Sequence, residues 1–171
     1  SAWNAITPIF ALYAVTLKGG NIETAAFAYS IYLMSRVIFE LISGRLLLNS
    51  GDLTKFVFSI FGISAMSLAY FGFAFSTTSF MVYLFYALAG FGLGIASPAK
   101  NSLFSSHLDP HKEAFEWSIQ DALAMFSMAL TAFAGGLVAH QFGFMTLFIL
   151  AGCLNLGSIL PYVLYIQYKK V

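Results

Sequence analysis

Arg36 and Glu40 stand four residues apart in the stretch RVIFELISGRLLLNSG, an otherwise apolar run that ends in a turn bracketed by Gly44 and Gly51. A charge at the centre of a membrane helix costs about 2.5–3.5 kcal/mol on insertion scales, so an ionisable residue at that depth is a functional candidate by default. Residues at i and i+4 share a helix face. The spacing therefore predicts a guanidinium and a carboxylate that offset part of each other's cost. Such a pair can also move a proton, because burial and a neighbouring cation act in opposite directions on a carboxyl, and separating the two changes its proton affinity. Asp121, on a later apolar segment, is the second carboxyl with that potential. Proton coupling is expected at Glu40 or Asp121. A self-satisfied pair near the water interface is the alternative reading of Arg36 and Glu40.

Neutral polar groups also fall within the apolar segments: Asn4, Tyr13, Tyr32, Asn101, Trp117 and Gln120, joined by Thr7, Tyr29, Tyr86 and Ser97. Amides, hydroxyls and an indole make a hydrogen-bonding wall with aromatic faces, which suits a neutral polar solute of sugar type. Tyrosine and tryptophan also anchor helices at the membrane interface, and that reading stays open, above all for Asn4 beside Trp3. Lys100, Glu113 and Glu116 flank the most polar break, HLDPHKEAFEW, and are expected to form a cytoplasmic salt-bridge gate rather than a solvated charge run. No metal site is expected, because Asp109-Pro110 interrupts the helix that would align His107 with His111, and His140 falls across the membrane. The single cysteine, Cys153, excludes a disulfide framework or a thiolate metal site within one chain. No cofactor is expected.

These groups need a frame, and composition supplies it. Of 171 residues, 60% are hydrophobic and 9% charged, with a formal net charge of +1. That balance excludes a soluble domain and, lacking any basic block, a nucleic-acid partner. Crossing the hydrocarbon core takes about 20 mostly apolar residues per helix. Six segments qualify: about 2–17, 23–48, 54–75 and 80–105, a fifth running to about 139, and about 144–166. The first is short, which leaves room for residues upstream. SAWNAITPIF has no positively charged start, so the first segment itself is expected to direct insertion. The third segment is charge-free beyond Lys55 and is expected to face lipid. In the fourth, Gly90, Gly92 and Gly94 allow close backbone approach, and Pro98 frees a carbonyl that neighbours must satisfy.

Basic residues set the orientation. With the N-terminus inside, Arg45, Lys55, Lys100, Lys112, Lys169 and Lys170 are cytoplasmic and Lys18 is outside, as the positive-inside rule requires. Both termini are expected in the cytoplasm of a multi-pass protein of the plasma or inner membrane.

The chain also repeats itself. SGRLLLNSGDLTKFVFSIFG aligns with GGLVAHQFGFMTLFILAG, placing Gly44 on Gly136 and Gly51 on Gly143, and Glu23 falls opposite Glu113 in nearly the same register. Two three-helix repeats, about 1–76 and 77–171, are expected within a single six-helix bundle. Three crossings per copy force opposite orientations, the inverted-repeat plan of several secondary transporters.

The loop GRLLLNSGDLTK, together with AGFGLGIASPAKNSLFSSHLDPHKEAFEW, resembles one six-helix half of a major facilitator superfamily transporter, and most of all its half-length members. Gly44 and Gly51 match that superfamily's loop between its second and third helices. Leu48 and Asn49 stand where its aspartate and arginine are expected, and no proline precedes Gly135 and Gly136 as its antiporter pattern would have it. The resemblance implies an all-α membrane protein in which segments 1 and 4 line a cavity, segments 2 and 5 flank the interface between halves, and segments 3 and 6 lie outside. It further implies a proton-coupled secondary transporter of a small solute, working by alternating access. A single half cannot enclose such a pathway, so a homodimer of two-fold symmetry is expected, with one piece of a twelve-helix transporter as the alternative.

Three other functions compete. Efflux of drugs or lipophilic solutes would use the same fold. A non-transporting assembly or receptor protein would explain the degenerate loop. An intramembrane serine protease built on Ser97 would need an activating histidine on the sixth segment, which has none, so no enzymatic activity is expected.

Overall fold

The computed structural model describes Phe10, Tyr13 and residues 21–169. The segment expected at about 2–17, with Asn4, Thr7 and Pro8, lies almost wholly outside the described residues. Within them the chain is all helical. Helix α1 spans Ile22–Leu46, α2 Asp52–Ala74, α3 Ser79–Ser105, α4 Glu113–Gly157 and α5 Leu160–Lys169. Four of these stretches are long and apolar enough to cross a membrane.

Local chemistry sets the helix ends. Asn21 caps α1: its side-chain oxygen accepts from the Thr24 amide at 2.7 Å, and the Thr24 hydroxyl accepts from the Asn21 amide at 3.2 Å, a reciprocal capping box. Glu23 sits in the first turn and Arg45 in the last, each at the helix end its charge favours. Gly51 starts α2 from an extended conformation, and Thr78 caps α3.

The three central helices approach one another through glycine. A Cβ on Gly90 would strike the Tyr32 carbonyl oxygen of α1, and one on Gly94 would lie 2.8 Å from the Arg36 carbonyl oxygen. On the opposite side of α3, a Cβ on Gly92 would lie 2.6 Å from the Gly62 carbonyl oxygen of α2. Gly90 and Gly94 thus seat α1 and Gly92 seats α2, because small residues are what let membrane helices touch backbone to backbone. Helix α2, expected from its lack of charge to face lipid, exposes Val57, Phe61 and Leu68 on one side only. Ser59, Gly62, Ile63, Met66, Ser67, Ala69, Tyr70 and Phe73 are buried, a small-residue stripe that sets it between α3 and α4.

Pro98 lies inside α3 and cannot donate to the Gly94 carbonyl one turn earlier. The Ser43 hydroxyl of α1 donates to that carbonyl instead, at 2.8 Å in a buried position. Ser43→Ala is expected to cost about 1–2 kcal/mol, near the top of the range for an interhelical hydrogen bond in a membrane. In a Pro98→Ala background the restored amide takes over the carbonyl, and the cost of Ser43→Ala should fall close to zero. Thermal unfolding of the four proteins in one detergent measures the cycle.

The fifth and sixth segments join differently from the expected break at 140–143. Helical conformation continues through Phe142, and within α4 Gly143 alone departs from it, with φ 82° and ψ 167°. A positive φ is costly for any residue bearing a Cβ and open to glycine. A straight helix would separate residues 131 and 158 by about 40 Å, yet both line one cavity. The chain therefore folds back at Gly143 into two arms, 113–142 and 144–157. The sixth segment also breaks, at Ser158 and Ile159, because Pro161 cannot continue the ladder from Gly157. The Ser158 hydroxyl donates to the Asn155 carbonyl at 2.6 Å and closes the helix end.

Candidate functional site

Arg36 and Glu40 meet as the spacing predicts, with Arg36 Nε donating to Glu40 Oε2 at 3.1 Å. Arg36 lies ten residues from the end of α1, about 15 Å at 1.5 Å per residue, which puts it near the middle of the span. Their side chains remain 37% and 36% exposed. That fraction matters, because the backbone of the same two residues is pressed against Gly94 while the charged heads emerge beside the α3 contact. The Tyr32 hydroxyl lies within hydrogen-bonding reach of Arg36, and Tyr29 stacks on Tyr32 with ring centroids 5.7 Å apart. Tyr29, Tyr32, Arg36 and Glu40 form one continuous polar strip along α1.

Tyr13 and Tyr32 are buried. The Tyr13 hydroxyl donates to the Phe73 carbonyl at 2.8 Å, and its ring packs against Phe144 and Phe148, which ties this residue to α2 and α4. Tyr32 meets Tyr86 edge-on at 6.3 Å across the α1–α3 contact. Asn101 is exposed near the end of α3, and Gln120 and Asp121 are exposed on the first arm of α4. Trp117 packs its ring edge-on against Phe104 at 4.8 Å. Asn4 lies outside the described residues. Among the described residues, then, the strip on α1 gathers Tyr32, Arg36 and Glu40, while Asn101, Gln120 and Asp121 stand apart from it on other helices.

The charges around the polar break take partners other than those expected. Lys112 Nζ lies 3.2 Å from Asp109 Oδ2, and Glu116 Oε2 accepts from the Asp109 amide at 3.3 Å. Glu113 and Glu116 occupy the first turn of α4, where carboxylates suit the helix dipole. Lys100 forms no ion pair with either among the described residues. It lines a cavity of about 590 Å³ shared by α2, α3, both arms of α4 and α5.

The structural glycines divide by role. Gly51 marks a helix end and Gly143 a break, Gly44 and Gly136 lie within helices, and a Cβ on any of the four would meet nothing within 4 Å. Sequence reasoning gave Asn155 no role. Its Nδ2 donates to the Ile63 carbonyl at 3.0 Å and to Ser67 Oγ at 2.9 Å, fastening the second arm of α4 to α2. The available signal was its place as the main polar residue of the sixth segment.

Long apolar helices with short connections, glycine-mediated contacts and a charge pair inside one helix define a multi-pass membrane protein. The chain matches the family model described as Major Facilitator Superfamily over residues 1–170, and it belongs to that superfamily of membrane transporters. No curated protein matches it.

Proposed function

We propose that the chain is a secondary active transporter of a small neutral polar solute, sugar-like in its hydrogen-bonding demands and coupled to protons. The Arg36–Glu40 pair carries this reading. A charge pair held near mid-span yet more than a third exposed is costly to keep against lipid and is what a water-filled pathway beside α1 would accommodate. In this reading Glu40 or Asp121 takes up the proton, and Arg36 releases Glu40 in one conformation. Asn4, Tyr13, Tyr32, Asn101, Trp117 and Gln120 contribute hydrogen bonds and ring faces to the solute.

The six apolar segments then form two inverted three-helix repeats, with both termini in the cytoplasm of the plasma or inner membrane. Two copies make the pathway as a homodimer, and alternating access is the rocking of one copy against the other. The exposed apolar faces of α1, with Met34, Val37 and Leu41, and of the first arm of α4, with Leu123, Phe126 and Phe133, offer the surface for that contact.

Proteoliposomes under an inward proton gradient are expected to accumulate at least one sugar from a panel, and nanodisc particles are expected to hold two chains. Flux confined to lipophilic cations would move the reading to efflux. No flux for any solute, or a stable monomer, would overturn it.

A further inference from the structure

We infer that the cavity between the two arms of α4 is a binding site for an anionic amphiphile: one carboxylate or phosphate head on Lys100, with a hydrocarbon tail along Leu147, Leu150 and Leu154. The site is independent of the transport reading and shares no lining residue with the α1 strip. Its volume of about 590 Å³ falls in the usual range for small-molecule sites, about 300–1,000 Å³.

The hydrogen-bonding inventory fixes the ligand's chemistry. Of the polar groups in the described lining, the Thr131 hydroxyl donates to the Ser127 carbonyl at 2.7 Å and the Ser158 hydroxyl to the Asn155 carbonyl at 2.6 Å. The Asn155 amide nitrogen is spent on Ile63 and Ser67. Lys100 alone in that lining is charged, and among the described residues no carboxylate lies within 4 Å of it. An ammonium carries three donors and no acceptor, so the complement it calls for is a negative group rich in acceptors. The rest of the wall is mainly aliphatic, with Tyr162 of α5 the one further lining residue that bears a side-chain hydroxyl, so a second polar group finds few partners. A sugar does not fit that balance, and a lipophilic cation would face Lys100.

Position agrees with chemistry. Lys100 lies five residues before the end of α3, about 8 Å along the axis, close to the level where lipid heads meet their chains. Leu150 and Leu154 are exposed, so the tail wall runs out onto the lipid-facing surface and a chain can enter sideways. The head and tail can belong to a bilayer phospholipid or to a free amphiphile, and the two are separable.

The test uses the whole chain in a neutral detergent, with dodecyl phosphate, dodecanoate, dodecanol and dodecyltrimethylammonium as probes and unfolding temperature as the readout. The two anions are expected to raise it in a saturable way and the other two to leave it unchanged. Lys100→Gln should weaken the anion response about tenfold to a hundredfold, the loss expected for one charge-assisted hydrogen bond. Lys55→Gln is the control, since Lys55 lies away from the cavity, 3.8 Å from Asp52. Native mass spectrometry from nanodiscs with and without phosphatidylglycerol shows whether a bilayer lipid already occupies the site. An equal response to dodecanol and dodecanoate in the unaltered chain, or an anion response that survives Lys100→Gln, would overturn the inference. The first comparison holds even if the variant fails to fold.

Discussion

Gly90→Ala is expected to cost about 3 kcal/mol, the upper part of the usual range for overpacking, and to rank with Gly62→Ala, whose Cβ would strike the Gly92 carbonyl oxygen, among the largest losses of stability from adding one methyl group to the described helices. The added Cβ would drive into the Tyr32 carbonyl oxygen and would lie 2.9 Å from Ser35 Cβ and 3.1 Å from the Arg36 amide nitrogen. Two of those three are backbone atoms, which cannot rotate away as a side chain would. Nor can α1 step back freely. Ser35 Oγ donates to the Ala87 carbonyl at 2.8 Å and Ser43 Oγ to the Gly94 carbonyl at 2.8 Å, so retreat breaks interhelical hydrogen bonds on both sides of the contact. Gly44→Ala and Gly136→Ala make the comparison sharp. Both glycines lie within helices, and a Cβ on either meets nothing within 4 Å. Alanine there should be neutral or should stabilise by up to about 1 kcal/mol through helix propensity. Unfolding temperatures in one detergent rank the three; a Gly90→Ala protein as stable as Gly44→Ala would mean that α1 and α3 do not touch as described.

Glu40→Gln is expected to separate binding from coupling. The amide keeps the shape and can still accept from Arg36, but it carries no proton and no charge. Under the proposed function, solute exchange between equal pools should persist while accumulation driven by a pH gradient falls roughly tenfold or more, a change of about 1.4 kcal/mol in the driving step. Asp121→Asn, tested alongside, decides which carboxyl carries the proton. Arg36→Gln should be worse for stability than Glu40→Gln, since it leaves a carboxylate without its cation. Stranding one member of a buried pair costs about 3–5 kcal/mol, and exposure of more than a third of the pair holds the effect below that range. Gradient-driven uptake that stays intact in both Glu40→Gln and Asp121→Asn would remove proton coupling through these groups.

Residue pattern alone exposed much of this arrangement. The i, i+4 spacing of Arg36 and Glu40 produced the ion pair, and the Gly90, Gly92 and Gly94 series produced close packing, because both depend on local geometry that one helix determines by itself. What pattern could not show depends on partners. Lack of charge in α2 reads as lipid exposure on every side only if its buried serines, glycine and alanine are ignored, and those small side chains are what admit α3 and α4. The turn near residue 143 looked like a four-residue loop because His140 and Gln141 are polar, yet one glycine with positive φ makes the bend and the helix runs on to it. Lys100 is the clearest case. Near Glu113 and Glu116 in sequence it reads as one end of a salt bridge, but its helix face turns it toward the second arm of α4, whose position no local rule predicts.

A proline inside a helix ordinarily leaves a loose joint. In α3 the joint is clasped from outside, since the carbonyl freed by Pro98 is held by Ser43 of α1. Flexing α3 at that point must either open the clasp or haul α1 along, and Glu40 and Arg36 ride on α1 one and two turns from Ser43. Lys100 sits just two residues beyond the same proline. The two helices are thereby geared, so that bending α3 at Pro98 shifts the carboxylate on the neighbouring helix as well.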